Sequence, residues 1–120
     1  MDKSLIKQHL EMLPEQIANK ERELITKQKE IHSLELINKQ IELKTEVAVT
    51  KEITPEKKKA YPNPISRKIE LDTRIENNSN YQINDRNRIQ LKEEIEEFEI
   101  NIGFMKRTFR AALVLPLLGE

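Results

Sequence analysis

The sequence predicts a mainly α-helical fold, an antiparallel two-helix coiled-coil hairpin with a small insert at one end. In two separate stretches, large apolar residues recur at alternating gaps of four and three, which is the spacing of one buried stripe along a helix. The composition agrees, since 35% of the residues are charged, 37% are hydrophobic and only two are glycine, as is typical of long helices. The length of 120 residues favours a single domain, residues 1–120.

The first helical arm is predicted over residues 2–45. Its stripe begins at Ile6 and is interrupted by Pro14, and a proline inside a helix removes one backbone hydrogen bond. We therefore expect a short helix before Pro14 and a kink or restart there. Asn38 occupies an inward position. A buried amide at such a position either fixes the register of the coiled coil or marks the point where the bundle opens toward the insert.

The insert is predicted over residues 46–80 and begins with a short β-hairpin near residues 47–61. Val47, Val49 and Ile53 alternate among β-branched neighbours, a pattern typical of a strand. The turn sequence TPEKKK follows, and the segment KAY is the expected return strand.

A short helix is expected in the second half of the insert. Asn63 can cap it, and Pro64 can occupy its first position, where a missing amide hydrogen costs nothing. Ile65, Ile69 and Leu71 are its predicted apolar face.

The second helical arm is predicted over residues 81–115, and residues 116–120 form a tail. Ser79 and Gln82 have the spacing of a capping box, and Pro116 is expected to stop the helix. The predicted inward positions are Leu91, Ile95, Phe98, Ile102, Met105, Phe109 and Ala112.

The inward stripes of the two arms are predicted to face each other. The expected register pairs Leu24 with Met105 and Ile31 with Phe98, and lays the stem of Lys20 along Phe109. A displacement of one heptad would also keep the stripes facing.

Further apolar residues lie off these stripes. Either they widen a stripe that the insert covers, or they form a second interface that completes a homo-oligomeric bundle, most simply a four-helix dimer. The second interpretation is preferred, and its candidate interface residues are Ile25, Ile37, Ile100 and Phe104.

The apolar tail sequence AALVLPLLGE would favour aggregation if it were exposed. In an antiparallel hairpin it emerges beside the N-terminus. We therefore expect the helix before Pro14 to fold against this tail and cap the open end of the bundle. The N-terminal side chains expected to take part are Leu5, Ile6, Leu10 and Met12, and those of the tail are Leu113, Val114, Leu115, Leu117 and Leu118.

The sequence favours a non-catalytic, cytoplasmic protein without cofactor, metal or membrane partner. It has no cysteine and a formal net charge of zero, which removes thiolate chemistry and a global nucleic-acid footprint. The stretch MDKSLIKQHL does not have the pattern of a signal peptide. His32 and Glu35 form only half of a metal clamp. The glutamates of KEEIEEFE, residues 92–99, surround inward positions and are expected to face solvent.

The best candidate for recognition is the basic stretch EKKKAYPNPISRK in the insert. A basic segment with an aromatic side chain can contact phosphates or an acidic protein surface, whereas the alternative is a turn made soluble by its charges. The candidate contact residues are Lys57, Lys58, Lys59, Tyr61, Arg67 and Lys68.

The last part of the chain resembles small bacterial and phage-type helical proteins of unknown function. The resemblance rests on Lys59, Tyr61, Asn63, Arg67 and Glu70, followed by a long helix that ends in RTFRAA. It covers roughly the last 60 residues and implies no established activity. Because many such proteins belong to the DNA metabolism of phages or mobile elements, it implies a nucleic-acid accessory role by analogy.

Three functions follow as expectations. The first is a coiled-coil interaction or assembly protein that works as a homo-oligomer and has a further protein partner. The second is a nucleic-acid-binding accessory protein that uses the basic insert. The third is a holdase, because the chain is similar in architecture to prefoldin subunits. It departs from them in its insert, which is predicted to be a hairpin plus a helix and not a strand-rich platform.

Overall fold

The computed structural model describes the backbone of residues 3–119 and the side chains of residues 7–114. Three helices form, α1 (Lys3–Lys51), α2 (Pro64–Glu76) and α3 (Ser79–Gly119). The described residues contain no β-strand, so the mainly α class is confirmed. None of the described helices has a segment that is both long and apolar enough to cross a membrane.

The chain divides into two compact units. Unit 1 contains Met1–Lys29 and Leu91–Glu120, and unit 2 contains Glu30–Gln90. Helices α1 and α3 contribute residues to both units, whereas α2 lies wholly in unit 2.

Helix α1 is longer than predicted at its C-terminal end and is not restarted at Pro14, which lies inside it. Leu13, the preceding residue, is only 4% exposed, and packing of this kind supplies most of the stability of protein helices. The end at residue 45 was also wrong, because Val47 and Val49 are helical. Val49 continues the inward stripe and is 2% exposed, so burial outweighs its preference for strands.

The predicted β-hairpin does not form. Residues 52–60 make a tight turn with one isolated antiparallel bridge between Ile53 and Lys59. Two backbone bonds close it, from the Thr54 amide to the Lys58 carbonyl at 2.7 Å and from the Ala60 amide to the Glu52 carbonyl at 2.9 Å. Val47 and Val49 of the expected first strand belong to α1, which leaves only Ile53 to pair with the return segment.

Helix α2 begins as predicted. Asn63 caps it in a capping box with Ser66, and Pro64 occupies the first turn. Its apolar face was mostly wrong, because Ile65 and Ile69 are 74% and 63% exposed. Leu71 is half-buried as expected.

Helix α3 begins at Ser79, directly after its N-cap residue. The cap is Asn78, whose side-chain oxygen accepts a hydrogen bond from the Tyr81 amide at 2.9 Å, so the predicted capping box at Ser79 was wrong. The helix also continues past Pro116 to Gly119, which removes the predicted tail. Of that apolar run, Leu113 and Val114 are largely exposed. Of the predicted N-terminal side of this contact, Leu10 is half-buried and Met12 is 56% exposed. The other side chains of the contact lie outside the described residues.

The two inward stripes are confirmed by burial. Every predicted inward position of α3 from Leu91 to Ala112 is buried or half-buried. The same holds in α1 from Leu10 to Thr45. The 4–3 spacing therefore identifies the face that each long helix turns toward its neighbour.

Unit 1 pairs α1 and α3 antiparallel, in a register displaced from the predicted one. The ammonium groups of Lys20 and Lys27 lie 4.8 and 5.3 Å from the centre of the Phe98 ring. Phe98 therefore lies beside Leu24, which falls between those two lysines on α1. The predicted partner of Leu24 was Met105, so the helices are displaced by about one heptad.

Two ion pairs join α1 and α3 in unit 1, and the pair of Lys27 with Glu94 agrees with the displaced register. The Lys27 ammonium lies 2.8 Å from a carboxylate oxygen of Glu94, and the Lys106 ammonium lies 3.0 Å from Glu21. Both lysines therefore keep a charged partner while Lys27 also lies over the Phe98 ring.

Unit 2 shows why this register is preferred. Asn38 is 7% exposed, and its side-chain amide donates to the backbone carbonyl of Tyr81 at 3.2 Å. Its side-chain oxygen accepts from the side-chain amide of Asn84 at 3.0 Å. In the predicted register Asn38 would have faced Leu91. A buried amide left without a partner costs about 1–3 kcal/mol, so the paired asparagines favour the observed alignment.

We expect the double substitution Asn38→Leu with Asn84→Leu to loosen this register, because both alignments then bury only apolar side chains. The chain has no cysteine, so disulfides can report the alignment. In the parent protein, cysteines at 34 and 88 should cross-link, whereas cysteines at 41 and 88 should not. In the double variant, the 41–88 product should appear under the same mild oxidation. Its absence would show that apolar packing alone sets the register.

Candidate functional site

The basic tip of the insert, Lys57–Lys59, lies on the tight turn after α1. The turn is fixed by the Lys57 amide, which donates to the Thr54 carbonyl at 2.9 Å, and by the Thr54 hydroxyl, which accepts from the Lys58 amide at 3.3 Å. Lys57 has a φ of 62°, in the left-handed region that non-glycine residues seldom adopt. All three lysines are exposed, so an ordered backbone presents three adjacent cations.

The other three predicted contact residues lie at the start of α2 or just before it. Arg67 donates to the Tyr61 carbonyl at 3.3 Å, and both residues are half-buried. Lys68 is exposed and lies 3.9 Å from Asp72. The structure therefore joins Tyr61 with Arg67, and shows no contact of either with the three lysines among the described residues.

Arg74 organises this region and was missed in the sequence. It donates to Glu70 at 2.8 Å and to Glu52 at the end of α1, and its guanidinium lies 5.8 Å from the centre of the Tyr61 ring. Hydrogen bonds to Glu70, then to Glu52 and Tyr61, raise the pKa of Arg74 above its ordinary value. One face of the Tyr61 ring is therefore occupied by a cation, which leaves less of it for stacking on a base.

The signal for Arg74 was partly present in the sequence. Glu70 and Arg74 have the i, i+4 spacing of a helical ion pair. The contacts with Glu52 and Tyr61 depend on how the turn places α2 beside the end of α1, which the sequence pattern does not specify.

A groove of about 280 Å³ separates the end of α1 from α2 in unit 2. Its charged lining consists of Glu46, Arg67 and Lys68, and its floor includes Val49 and Leu71. The lining mixes both signs of charge, so the groove suits no single class of charged ligand.

The other candidate groups for chemistry lie apart from one another. His9 and His32 are exposed, and the described residues contain no group of three or more histidine, aspartate or glutamate side chains that could hold a metal ion. Within the glutamate cluster, Glu94 is half-buried and paired with Lys27. The others are exposed, Glu93, Glu96, Glu97 and Glu99.

The four candidate interface residues are all exposed, Ile25 by 49%, Ile37 by 47%, Ile100 by 67% and Phe104 by 63%. In unit 1, Ile25 borders a groove of about 370 Å³ that also contacts Ile102 and Gly103. Ile100 and Phe104 lie about 160° around α3 from Ile102, on the side that faces away from α1. In unit 2, Ile37 borders a separate groove with Ile41 and Ile83. The four residues thus lie on more than one face.

A hydrogen bond between exposed side-chain atoms links the long helices in unit 2. The Tyr81 hydroxyl donates to the Glu42 carboxylate at 2.6 Å. This bond and partial burial together raise the pKa of Tyr81 from 10.0 to about 12, because the carboxylate would repel a phenolate.

We expect the free energy of unfolding to fall at alkaline pH because of this pair. The pKa of Tyr81 is higher in the folded chain than in the unfolded chain, so its contribution is complete below pH 10 and is lost as the pH rises toward 12. In a Tyr61→Phe background Tyr81 is the only tyrosine, and its ultraviolet titration should have a midpoint near 12. Adding Glu42→Gln should lower that midpoint. An unchanged midpoint would assign the shift to burial.

Comparison of the chain with known protein families, with curated proteins and with solved structures finds no match. The resemblance of the last part of the chain to phage-type helical proteins therefore stays a prediction.

Proposed function

We propose that this chain is a non-catalytic coiled-coil interaction or assembly protein that works as a homo-oligomer, most simply a dimer of helical hairpins. The observation that carries the proposal is how little the chain buries alone. Among residues 7–114 only three apolar side chains are buried, those of Leu13, Val49 and Ile102, whereas fifteen large apolar side chains are exposed. Single exposed apolar residues are ordinary, but an excess over the buried ones favours a partner surface.

The polar contacts support the same proposal. The ion pairs and hydrogen bonds of Lys27, Asn38 and Arg74 hold helices together. They form no pocket with a nucleophile beside a base, which acyl or phosphoryl chemistry needs. A scaffold that presents helix faces is the function that fits these features.

The proposal is tested by the mass of the protein in solution. Sedimentation equilibrium of the purified chain should give a multiple of 14.2 kDa, and the apparent mass should fall on dilution toward that of one chain. Phe104→Glu should favour the single chain, because a charge would enter an apolar contact. A parent protein that stays monomeric at high micromolar concentration would overturn the proposal.

The second candidate function is nucleic-acid binding by the basic tip. The favouring observation is that Lys57, Lys58 and Lys59 are exposed on an ordered turn, and that none of them takes part in an ion pair among the described residues. Three phosphate contacts would make binding fall with salt with a log–log slope of roughly −2 to −3.

This candidate is tested by titrating single- and double-stranded DNA at low salt. Replacing all three lysines with alanine should abolish binding, and replacing Lys29, Lys39 and Lys44 instead should not. No binding by the parent protein at low salt would remove this candidate. The holdase function gains no support, since the described insert has one isolated bridge and no strand-rich platform.

A further inference from the structure

The outward face of α3 in unit 1 has its own 4–3 spacing. Counting from Glu93, the positions are Glu93, Glu97, Ile100, Phe104, Arg107 and Ala111, and all six are exposed. Since a helix turns 100° per residue, they form a stripe centred about 180° from Ile102. This outward stripe is a second coiled-coil face with nothing against it among the described residues.

The charges along the outward stripe are segregated. Glu93 and Glu97 lie on the N-terminal side of the apolar pair, whereas Arg107 lies on the C-terminal side and Arg110 flanks it. Neither Glu97 nor Arg107 takes part in an ion pair among the described residues. The guanidinium of Arg107 passes within 3.6 Å of the place where a side chain on Gly103 would begin. It therefore lies back over the preceding turn of α3, on the flank of the stripe beside Gly103.

This order of charges fits a second copy of the same stripe in one orientation. In an antiparallel pair with a twofold axis midway between Ile100 and Phe104, Ile100 packs against the partner's Phe104. One step outward, Glu97 meets the partner's Arg107. The twofold axis repeats both contacts. A parallel pair would instead place Glu97 against the partner's Glu97, which costs free energy.

We propose that two copies of this chain associate through the outward stripe of α3, antiparallel about a twofold axis, with Glu97 paired to the partner's Arg107 on both sides of an Ile100–Phe104 centre. This inference rests on the proposed homo-oligomer and specifies its interface. Arg is well suited to such a site, because its planar guanidinium can hold a carboxylate through two bonds. Ile25 and Ile37 lie outside this interface.

The test exchanges the charges. Glu97→Arg alone places two arginines together at each end of the seam, and Arg107→Glu alone places two glutamates together. Each single variant should weaken the dimer at least about tenfold. The double variant should restore the affinity of the parent. Glu23→Arg, the same change on an exposed position of α1, should leave the dimer unaffected.

Mixing the two single variants gives the sharpest readout. A heterodimer between them pairs an arginine with a glutamate at both ends, so native mass spectrometry should show the heterodimer in excess over either homodimer. This rescue also shows that both variants are folded. A parallel seam would favour the same heterodimer, so the orientation is read from the single variants. Each of them weakens an antiparallel dimer, whereas a parallel dimer already has like charges at both positions and keeps two such contacts in either variant.

The outcomes separate the two proposals. A monomeric parent protein overturns both. A dimeric parent whose affinity is unchanged by either single variant overturns only the α3 interface, and directs attention to other exposed apolar positions, such as Leu36, Leu43 and Val47 on α1.

Discussion

Ile102→Ala should destabilise the protein by about 2–5 kcal/mol, the usual cost of truncating a buried isoleucine. Ile102 is 6% exposed and is the one buried position of the α3 stripe, where half-buried Phe98 and Met105 lie one turn to either side. The alanine would leave a cavity in a core too small to refill it. For a chain of this length the melting temperature should fall by roughly 10–20 °C, as measured by circular dichroism at fixed protein concentration.

The matched control is Ile89→Ala on the same helix. Ile89 is 46% exposed, so the same atoms are removed from a side chain that is partly in water. The loss should be below about 1 kcal/mol. Equal losses at the two positions would contradict the difference in burial between Ile102 and Ile89, or would mean that Ile89 is covered in an assembly.

The stripe that contains Ile102 was predictable because it depends only on spacing. Alternating gaps of four and three place side chains on one face of any α-helix. The burial of Leu13 and Ile102 and the partial burial of Phe109 follow that rule. The start of α2 was predictable for a similar reason, because Asn63 and Pro64 act on the backbone within the first turn of that helix.

The register was not predictable from the same information. A heptad displacement keeps both stripes facing, so apolar spacing gives several alignments of nearly equal quality. The choice depends on pairs far apart in sequence, Asn38 with Asn84 and Lys27 with Glu94. Asn38 is identifiable from its inward position as a residue that can fix register, whereas its pairing with Asn84 depends on the register itself.

The turn after α1 was mistaken for a hairpin because local preference and packing disagree there. Val47 and Val49 prefer strands, yet Val49 gains more by continuing the inward stripe, where it is 2% exposed. Among the candidate contact residues, the three lysines of the turn are exposed and Tyr61 is half-buried. The environment of Tyr61 depends on Arg74, whose tertiary contacts no local pattern contains.

Pro14→Ala should stabilise the protein by about 3 kcal/mol, and raise its melting temperature by roughly 10 °C. Pro14 lies inside α1, where it has no amide hydrogen to donate to the Leu10 carbonyl one turn earlier and its ring crowds that carbonyl. Alanine restores the bond and has the highest helix propensity. Pro14 is exposed while its neighbour Leu13 is buried, so the substitution removes no core contact and the stripe is unchanged.

The control for this prediction is the same substitution at the start of α2. Pro64 occupies the first turn of that helix, where no intrahelical bond is lost and the fixed φ of proline is already helical. Pro64→Ala should therefore leave stability unchanged or lower it by up to about 1 kcal/mol, because the unfolded chain gains freedom. A gain at position 14 together with none at position 64 shows that α1 is continuous through Pro14 in solution. No gain at position 14 would mean instead that the chain before it is not helical, and that the main helix begins at the proline.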